Sequence, residues 1–219
     1  MLKAFTIPAA LLITLLAGTA AMSSSATVDA PAPRVDERAS GARAVAVFAG
    51  GCFWGVEGVY EHVRGVIDAK SGYTGGSAMT ARYPIVSSGR SAHAEAVRVV
   101  YDPTKISYGQ LLRIYFSVVA DPTLKDRQGP DQGPQYRSAL FPTNPAQAKV
   151  ARAYIAQMTA ARTFPRPILT TIEPYKGFHL AEAEHQDFMA RNPRYPYIVI
   201  NDRPKVDALR KNFPGVWRG

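Results

Sequence analysis

The sequence predicts an α+β fold in which helices cover one face of a mixed β-sheet. Segments with strand and helix patterns follow one another in the order strand, helix, strand, strand, helix, strand, helix, strand. This order is typical of a two-layer α/β sandwich with a ferredoxin-like sheet and long irregular loops. The composition supports one folded unit with a real core, because 47% of the 219 residues are hydrophobic and 20% are charged.

Four patterns define the first half of this fold. Residues 44–49 form an apolar run followed by two glycines, which predicts a buried strand that ends in a turn. Residues 54–64 carry apolar side chains at helical spacing, and a glycine follows them. Two extended segments come next, at 65–73 and 95–101, and an Asp-Pro pair ends the second.

The second half alternates helices and strands. A helix begins after the N-cap residue Ser107 and continues to about residue 119. A strand at 138–141 precedes a long helix at 145–161 with proline in its first turn. A β-branched strand at 168–172 and a short helix at 180–190 complete the pattern. Long loops, where functional sites are often built, are expected in two stretches without periodicity: residues 121–135 and 200–219.

The N-terminal region predicts export and a linker ahead of the folded domain. Lys3 precedes a short apolar run and a series of small residues, which is the layout of a secretory signal peptide, expected here over 1–22. The alternative is an uncleaved membrane anchor, although the run is shorter than the roughly 20 residues that span a bilayer. Residues 23–43 are rich in Ser, Ala, Pro and charge, which predicts a flexible linker. We expect the folded domain over 44–219 and a location in the bacterial periplasm.

The charge pattern argues against a nucleic-acid-binding protein. The formal net charge is +9, from 26 Lys and Arg against 17 Asp and Glu. Basic proteins often bind nucleic acids or anionic membranes, but here the cations are scattered among carboxylates and no run of five or more occurs. We therefore expect a solvated surface, no nucleic-acid partner, no integral membrane span in the mature protein, and a monomer.

Cys52 is the one cysteine of the sequence and the main candidate for chemistry. A lone cysteine in an exported protein is either buried and inert or retained for its reactivity. Cys52 lies in the run GGCFWG, after a predicted strand and at the start of a predicted helix. Free backbone N–H groups there stabilise a thiolate, so we expect its pKa to lie below the ~8.5 of a free thiol. The adjacent Phe53 and Trp54 either pack in the core or wall an apolar pocket beside the sulfur.

The residues around Cys52 also carry a family resemblance. The run GCFWGVE at 51–57 resembles the active-site signature of peptide methionine sulfoxide reductase A. The likeness continues, in order, in five further blocks: residues 66–76, 83–95, 121–122, 127–138 and 183–188. A single GCFWG would be suggestive, whereas an ordered set of blocks is highly specific.

The resemblance implies a role for each matching residue. Cys52 attacks the sulfur of methionine sulfoxide and becomes a sulfenic acid, and Glu95 protonates the departing oxygen. Tyr83 and Tyr136 match phenols that hydrogen-bond that oxygen, and Asp131 matches a carboxylate beside them. The residues alone allow other roles for these side chains. Glu95 would be a solvated charge at a strand edge, Tyr83 would pack in a loop, and Asp131 would be a turn residue.

The resemblance also implies the substrate and the electron donor. Phe53 and Trp54 hold the S-methyl group of a methionine sulfoxide of S configuration at sulfur, in oxidised proteins or peptides. No metal or organic cofactor is implied. Relatives often carry further C-terminal cysteines that resolve the sulfenic acid, but this sequence ends in FPGVWRG. We therefore expect an external thiol to reduce Cys52: a thioredoxin, a glutaredoxin or a small thiol.

Two other functions compete with this interpretation. Cys52 activated by His93 or His185 would suit a hydrolase or transpeptidase. His179 and His185 are six residues apart and do not share a helical face, so no metal-ligand spacing joins them. Structural or surface roles are therefore the expectation for these histidines. The second alternative is a non-catalytic module that binds methionine-rich or anionic partners.

Overall fold

The computed structural model describes residues 28–37 and 41–219. The expected signal peptide at 1–22 lies outside these ranges, as do residues 23–27 and 38–40 of the expected linker. Within the two ranges, no helix is both long enough and apolar enough to cross a membrane.

A six-stranded mixed sheet forms the centre of the fold. Its strands lie in the order β7-β6-β1-β3-β2-β8, and all neighbours are antiparallel except the parallel pair β6 and β7. A separate short hairpin pairs β4 with β5. The strands of the described ranges are β1 (Ala44–Gly50), β2 (Val66–Thr74), β3 (Ala94–Tyr101), β4 (Arg127–Gln128), β5 (Asp131–Gln132), β6 (Ser138–Leu140), β7 (Thr171–Ile172) and β8 (Phe178–Leu180).

The helices are α1 (Phe53–Glu61), α2 (Tyr83–Ser87), α3 (Tyr108–Ile114), α4 (Pro145–Ala160), α5 (Phe188–Arg191) and α6 (Arg203–Asn212). Helix α3 begins at the expected N-cap, where Ser107 accepts the backbone N–H of Gln110 and the Gln110 side chain accepts that of Ser107. It continues through a wider π-helical turn, Tyr115–Val119. Helix α4 begins at Asn144, whose side chain accepts the backbone N–H of Gln147.

The main core lies on the helical face of the sheet. Successive side chains of a strand point to opposite faces, so Phe48 of β1 faces the helices whereas Val47 belongs to a smaller cluster on the other face. The Phe48 ring packs against Tyr60 of α1, Tyr108 of α3 and Tyr115. The expected α+β class with helices on one face is confirmed.

Two expected segments near the C-terminus are wrong. One continuous helix over 180–190 does not form, because β8 ends at Leu180 and the Gln186 side chain pairs with the backbone of Ser71, as a neighbouring strand would. A short helical turn at Ala183–His185 and helix α5 remain of it. The stretch at 200–219, which was expected to be irregular, contains α6. Proline is tolerated in its first turn because a backbone N–H there would have no hydrogen-bond partner within the helix. Helix α6 buries Leu209.

Residues 28–37 correct the expectation of a fully flexible linker. The Ala30 side chain is fully buried, its backbone N–H donates to Ser117 Oγ at 3.1 Å, and its carbonyl accepts Arg113 Nε–H at 2.7 Å. Asp36 accepts a backbone N–H of the first turn of α3 at 2.8 Å. Backbone hydrogen bonds and a capping carboxylate hold this segment. Flexibility was expected because the segment has few large apolar side chains, but these polar contacts do not require them.

Candidate active site

Cys52 lies where β1 turns into α1. Gly51 makes the turn at φ 96°, and a Cβ atom there would approach the Gln128 side chain to 2.7 Å, so glycine is required on both grounds. Cys52 is the N-cap of α1 and is 8% exposed. Cys52 therefore counts among the buried residues of the main core, at the turn where β1 ends and α1 begins.

Glu95 supplies a buried acid beside this cysteine. It lies at the start of β3, is 2% exposed, and accepts the backbone N–H of Phe53 at 3.1 Å through Oε2. Burial raises the pKa of Glu95 to about 8, and the Phe53 hydrogen bond only partly opposes this effect. Glu95 therefore carries a proton at neutral pH and is not the solvated edge charge that its strand position alone suggested.

Two phenols approach the same site from loops. Tyr83 begins α2, donates its backbone N–H to Glu182 Oε1 at 2.9 Å, and packs against the His185 ring at 4.4 Å between centroids. Tyr136 ends a short turn, Pro134–Tyr136. Burial, followed by the charges of the site that include Glu95, raises the pKa of both phenols. Both side chains therefore remain hydrogen-bond donors across the physiological pH range.

Asp131 is held in place by a residue that the sequence analysis did not select. The Tyr197 hydroxyl donates a hydrogen bond to Asp131 Oδ2. Burial raises the pKa of Asp131, while the Tyr197 hydrogen bond opposes that rise. The pKa of the Tyr197 phenol is raised by burial and by the neighbouring Cys52, which places Tyr197 in the same group of side chains. The sequence analysis singled out no motif at Tyr197, which lies after the block at 183–188.

Phe53 and Trp54 differ in how much surface they offer. Phe53 is 1% exposed and packs against Tyr73 and His185. Trp54 is half-buried and stacks on Phe188 with ring centroids 3.8 Å apart. The two roles expected from the sequence, core packing and an apolar pocket wall, are therefore divided between these residues. Phe53 packs mainly in the core, and Trp54 retains an accessible apolar surface.

His185 joins the two aromatic residues to the site. It is 7% exposed, and its Nδ1 accepts a hydrogen bond from Trp54 Nε1–H at 3.3 Å. Burial lowers the pKa of His185, so the imidazole is neutral. His93 is fully buried, with Nδ1 accepting the backbone N–H of Gly76 and Nε2 facing the carbonyl of Ser77. Both ring nitrogens of His93 are therefore engaged, and neither is available to a thiol.

The pKa of Cys52 contradicts the sequence expectation. Burial raises it well above its ordinary value, and the neighbouring carboxyl groups of Glu95 and Asp202 raise it further. A hydrogen bond from the Trp54 backbone N–H lowers it, as the helix terminus predicted, but this effect is the smaller one. The resting sulfur is accordingly a thiol, because burial first, and then the neighbouring carboxyl groups, outweigh the helix terminus.

The described ranges also contain an acidic cluster away from Cys52. Carboxylate oxygens of Glu57, Glu61 and Asp187 lie within 4.8 Å of one another. Burial raises the pKa of Glu57 to about 7 and that of Glu61 to about 8, so these groups hold protons near neutral pH. The Lys70 ammonium lies 3.4 Å from Asp187 and neutralises part of the remaining charge.

Comparisons with known proteins agree with the geometry. The family model described as peptide methionine sulfoxide reductase matches residues 44–215. The peptide methionine sulfoxide reductase MsrA 2 of Mesorhizobium japonicum is 53% identical over 183 residues, covering 84% of this chain and 94% of that relative. The protein of the same name from Synechocystis is 51% identical over 168 residues, covering 77% of this chain and 78% of the relative.

Two solved structures share the fold. Mxr1 from Saccharomyces cerevisiae in reduced form is 30% identical with a TM-score of 0.63, covering 74% of this chain and 92% of that one. Methionine sulfoxide reductase A of Corynebacterium diphtheriae is 30% identical with a TM-score of 0.59, covering 72% and 78%.

Proposed function

This chain belongs to the peptide methionine sulfoxide reductase family, and on that premise we propose that Cys52 is the nucleophile with which it reduces methionine sulfoxide in peptides. The observation that carries the proposal is the pairing of this cysteine with Glu95. A thiol at a helix start, next to a buried carboxyl group that holds its proton up to about pH 8, suits oxygen transfer from a sulfoxide.

The proposed reaction transfers one oxygen atom. The Cys52 sulfur attacks the sulfoxide sulfur, and a sulfur–sulfur bond forms. The oxygen then passes to Cys52 as that bond and the sulfur–oxygen bond of the substrate break, which leaves Cys52 as a sulfenic acid and releases methionine. Methionine leaves reduced by two electrons, and Cys52 is oxidised by two. Glu95 donates its proton to the oxygen as negative charge develops there, and the thiol proton returns to Glu95. The site thereby forms a thiolate during the reaction and needs none in the resting state.

The remaining site residues position the substrate in this proposal. Tyr83 and Tyr136 donate hydrogen bonds to the sulfoxide oxygen, which their raised pKa values permit. Asp131 fixes the polar side of the pocket through its bond to Tyr197. Phe53 and Trp54 accommodate the S-methyl group and select the S configuration at sulfur.

The reductant in this proposal is an external thiol. The sequence contains one cysteine, so the sulfenic acid of Cys52 has no internal thiol partner within these 219 residues. Two external thiols return the enzyme to its starting state, giving a disulfide and water. A thioredoxin, a glutaredoxin or a small thiol fits this chemistry, and the cycle requires no prosthetic group.

We also propose that the enzyme is exported and repairs oxidised proteins outside the cytoplasm. The support is the N-terminal pattern of one lysine, a short apolar run and small residues over 1–22. Mass spectrometry of the protein recovered from a periplasmic extract is the direct test. A mature N-terminus close to residue 22 is expected, and intact protein retained in the cytoplasm would contradict export.

The competing hydrolase function has less support. It requires a histidine to take the proton of Cys52, whereas both ring nitrogens of His93 are engaged by backbone groups and Nδ1 of His185 accepts from Trp54. After burial, the group with the largest effect on the pKa of Cys52 is the Glu95 carboxyl, through its ionised form, and not a histidine.

A stereospecific turnover assay tests the proposed function. The mature protein is incubated with the S and R sulfoxides of a methionine peptide and dithiothreitol, beside Cys52→Ser and His93→Ala. We expect turnover of the S form alone, complete loss in Cys52→Ser, and near-normal rates in His93→Ala if it folds. Mass spectrometry without reductant should detect one added oxygen on Cys52. Turnover that survives in Cys52→Ser would refute the proposal, and no turnover by any variant would leave the binding-module alternative.

A further inference from the structure

Asp202 is a buried carboxylate that the proposed reaction does not use. Its side chain is fully buried, and Oδ1 lies 3.3 Å from the ammonium of Lys205. Its other oxygen, Oδ2, is buried without a hydrogen-bond partner among residues 28–37 and 41–219. A buried carboxylate oxygen without such a partner is costly to stability, so its presence requires an explanation.

The orientation of Asp202 is unusual for its place in the chain. It holds the N-cap position of α6, where Asp ordinarily accepts a backbone N–H of the first helical turn. Within this described helix, its carboxylate makes no such bond. The side chain lies instead against α1, where a Cβ atom on Gly55 would be 2.1 Å from Asp202 Oδ1 and 3.1 Å from Lys205 Nζ. Glycine at position 55 is what allows the ion pair to approach α1.

The turn of α1 that receives this ion pair is also the turn that carries the thiol. Gly55 is the third residue of α1 and Cys52 is its N-cap, so the two lie about one helical turn apart. The charge on Asp202 raises the pKa of Cys52, and this effect is the next largest after those of burial and Glu95. Burial raises the pKa of Asp202 itself, and the ammonium of Lys205 opposes that rise by favouring the ionised carboxylate. Because Glu95 is protonated at neutral pH, Asp202 paired with Lys205 is the foremost carboxylate that remains to act on Cys52.

Other groups of the site surround the thiol without replacing this charge. Burial raises the pKa of Asp131, and its carboxylate already accepts the Tyr197 hydroxyl. The phenols and the imidazole are neutral, and the cation belongs to the ion pair itself. The titratable or charged groups around Cys52 are Glu95 of β3, Asp131 of β5, Tyr83 of α2, Tyr136, His185, Tyr197, Asp202 and Lys205 of α6.

We propose that Asp202 is a positioning residue of the reductase site: held by Lys205 against Gly55, it keeps a negative charge beside the first turn of α1 and maintains Cys52 as a thiol until a sulfoxide binds. The inference rests on the proposed role of Cys52 as the nucleophile. Alkylating agents and peroxides react with the thiolate, so the resting sulfur is protected from them. Each turnover depends on this one sulfur atom.

The pH dependence of alkylation tests the inference without any sulfoxide. Cys52 is the one cysteine of the chain, so the rate of iodoacetamide labelling against pH reports this sulfur alone. In Asp202→Asn we expect the midpoint to fall by about one pH unit, the lower end of the effect of an adjacent charge. Below the midpoint, the labelling rate should rise about tenfold. If Asp202→Asn does not fold, Asp202→Ser replaces it with the same expectation, because serine is neutral and a good N-cap.

Two controls separate charge from loosened packing. Asp202→Glu keeps the charge and should keep the midpoint within a few tenths of a unit. Glu57→Gln alters another buried carboxyl group of α1 that does not face Cys52, and should also leave the midpoint unchanged. A rate that rises equally at every pH in Asp202→Asn, or a midpoint that stays fixed, overturns the inference. Failure of the proposed function appears separately, as absent sulfoxide turnover in a protein whose labelling midpoint still moves.

Discussion

Two buried carboxyl groups lie at α1 in different surroundings: Glu57 belongs to the helix, and Glu95 of β3 meets its first turn. Glu95 is 2% exposed and Glu57 is 1% exposed, and burial raises the pKa of both, to about 8 and about 7. Glu57 accepts backbone N–H groups with both oxygens, from Ser71 and Asp187, each at 3.1 Å. Glu95 accepts only the N–H of Phe53 in the part of the chain that the structure describes.

The difference distinguishes an acid that holds the fold from one that is free to react. Glu57 connects α1 to β2 and to the segment before α5, and its lone pairs are occupied by that task. Glu95 makes one such bond and lies beside the thiol, so its second oxygen remains available to a substrate. Burial alone therefore does not identify a catalytic acid. A carboxyl group that also holds its proton at neutral pH and keeps spare hydrogen-bonding capacity next to a nucleophile fits that role.

The largest expected effect is that of Glu95→Gln on turnover. Glutamine keeps the shape and can still accept the Phe53 N–H, but it does not donate an acidic proton. We expect kcat/KM for methionine sulfoxide to fall by about 10²- to 10⁴-fold, the usual contribution of a general acid. The melting temperature should change little. A loss of less than tenfold would remove Glu95 from its assigned role.

Glu57→Gln should show the opposite profile. The amide oxygen replaces one acceptor, but the amide nitrogen does not accept the second backbone N–H. Either the Asp187 N–H loses its acceptor, or the Ser71 N–H keeps only its bond to Gln186 Oε1 and faces the amide group. We expect the free energy of unfolding, measured with urea, to fall by about 1–3 kcal/mol. Turnover per folded molecule should stay within a few-fold of wild type. If turnover instead drops as far as in Glu95→Gln, the distinction between the two acids is wrong.

The pH profile sharpens the comparison further. Each carboxyl group binds its proton more tightly when folded than at its ordinary pKa of 4.5, so its contribution to stability is full below about 4.5. That contribution is lost as the pH rises through about 7 for Glu57 and about 8 for Glu95. Urea titrations from pH 4 to 9 should show this fall. Glu57→Gln should remove the part of this fall in stability that ends near pH 7, and Glu95→Gln the part that continues to about pH 8.

Activity should follow Glu95 alone. Because the acid must be protonated, kcat/KM should fall as the pH rises above about 8, by about tenfold per unit. Glu57→Gln should leave that limb of the profile in place. If the pH profile of kcat/KM shifts in Glu57→Gln, Glu57 also takes part in the chemistry.

The sequence determined the elements and the principal residues of the site. Periodicity located β1, α1, β3 and α4, and the ordered blocks placed Cys52 and Glu95 in one family-specific arrangement. The element predictions succeeded because local patterns dictate which residues form a helix or a strand. The motif residues lie within those elements or directly beside them, and their catalytic roles stay predictions.

The tertiary structure decided the chemical state of the site and the partners that complete it. The expected low pKa of Cys52 was wrong because that expectation counted only its own helix. In the folded chain, burial raises this pKa most, and Glu95 and Asp202, which come from distant parts of the chain, raise it further. His185 reaches Trp54 across 131 residues of sequence, and Glu95 reaches Phe53 across 42. Burial and charge act through space, so their balance at the sulfur exists only once the chain has folded.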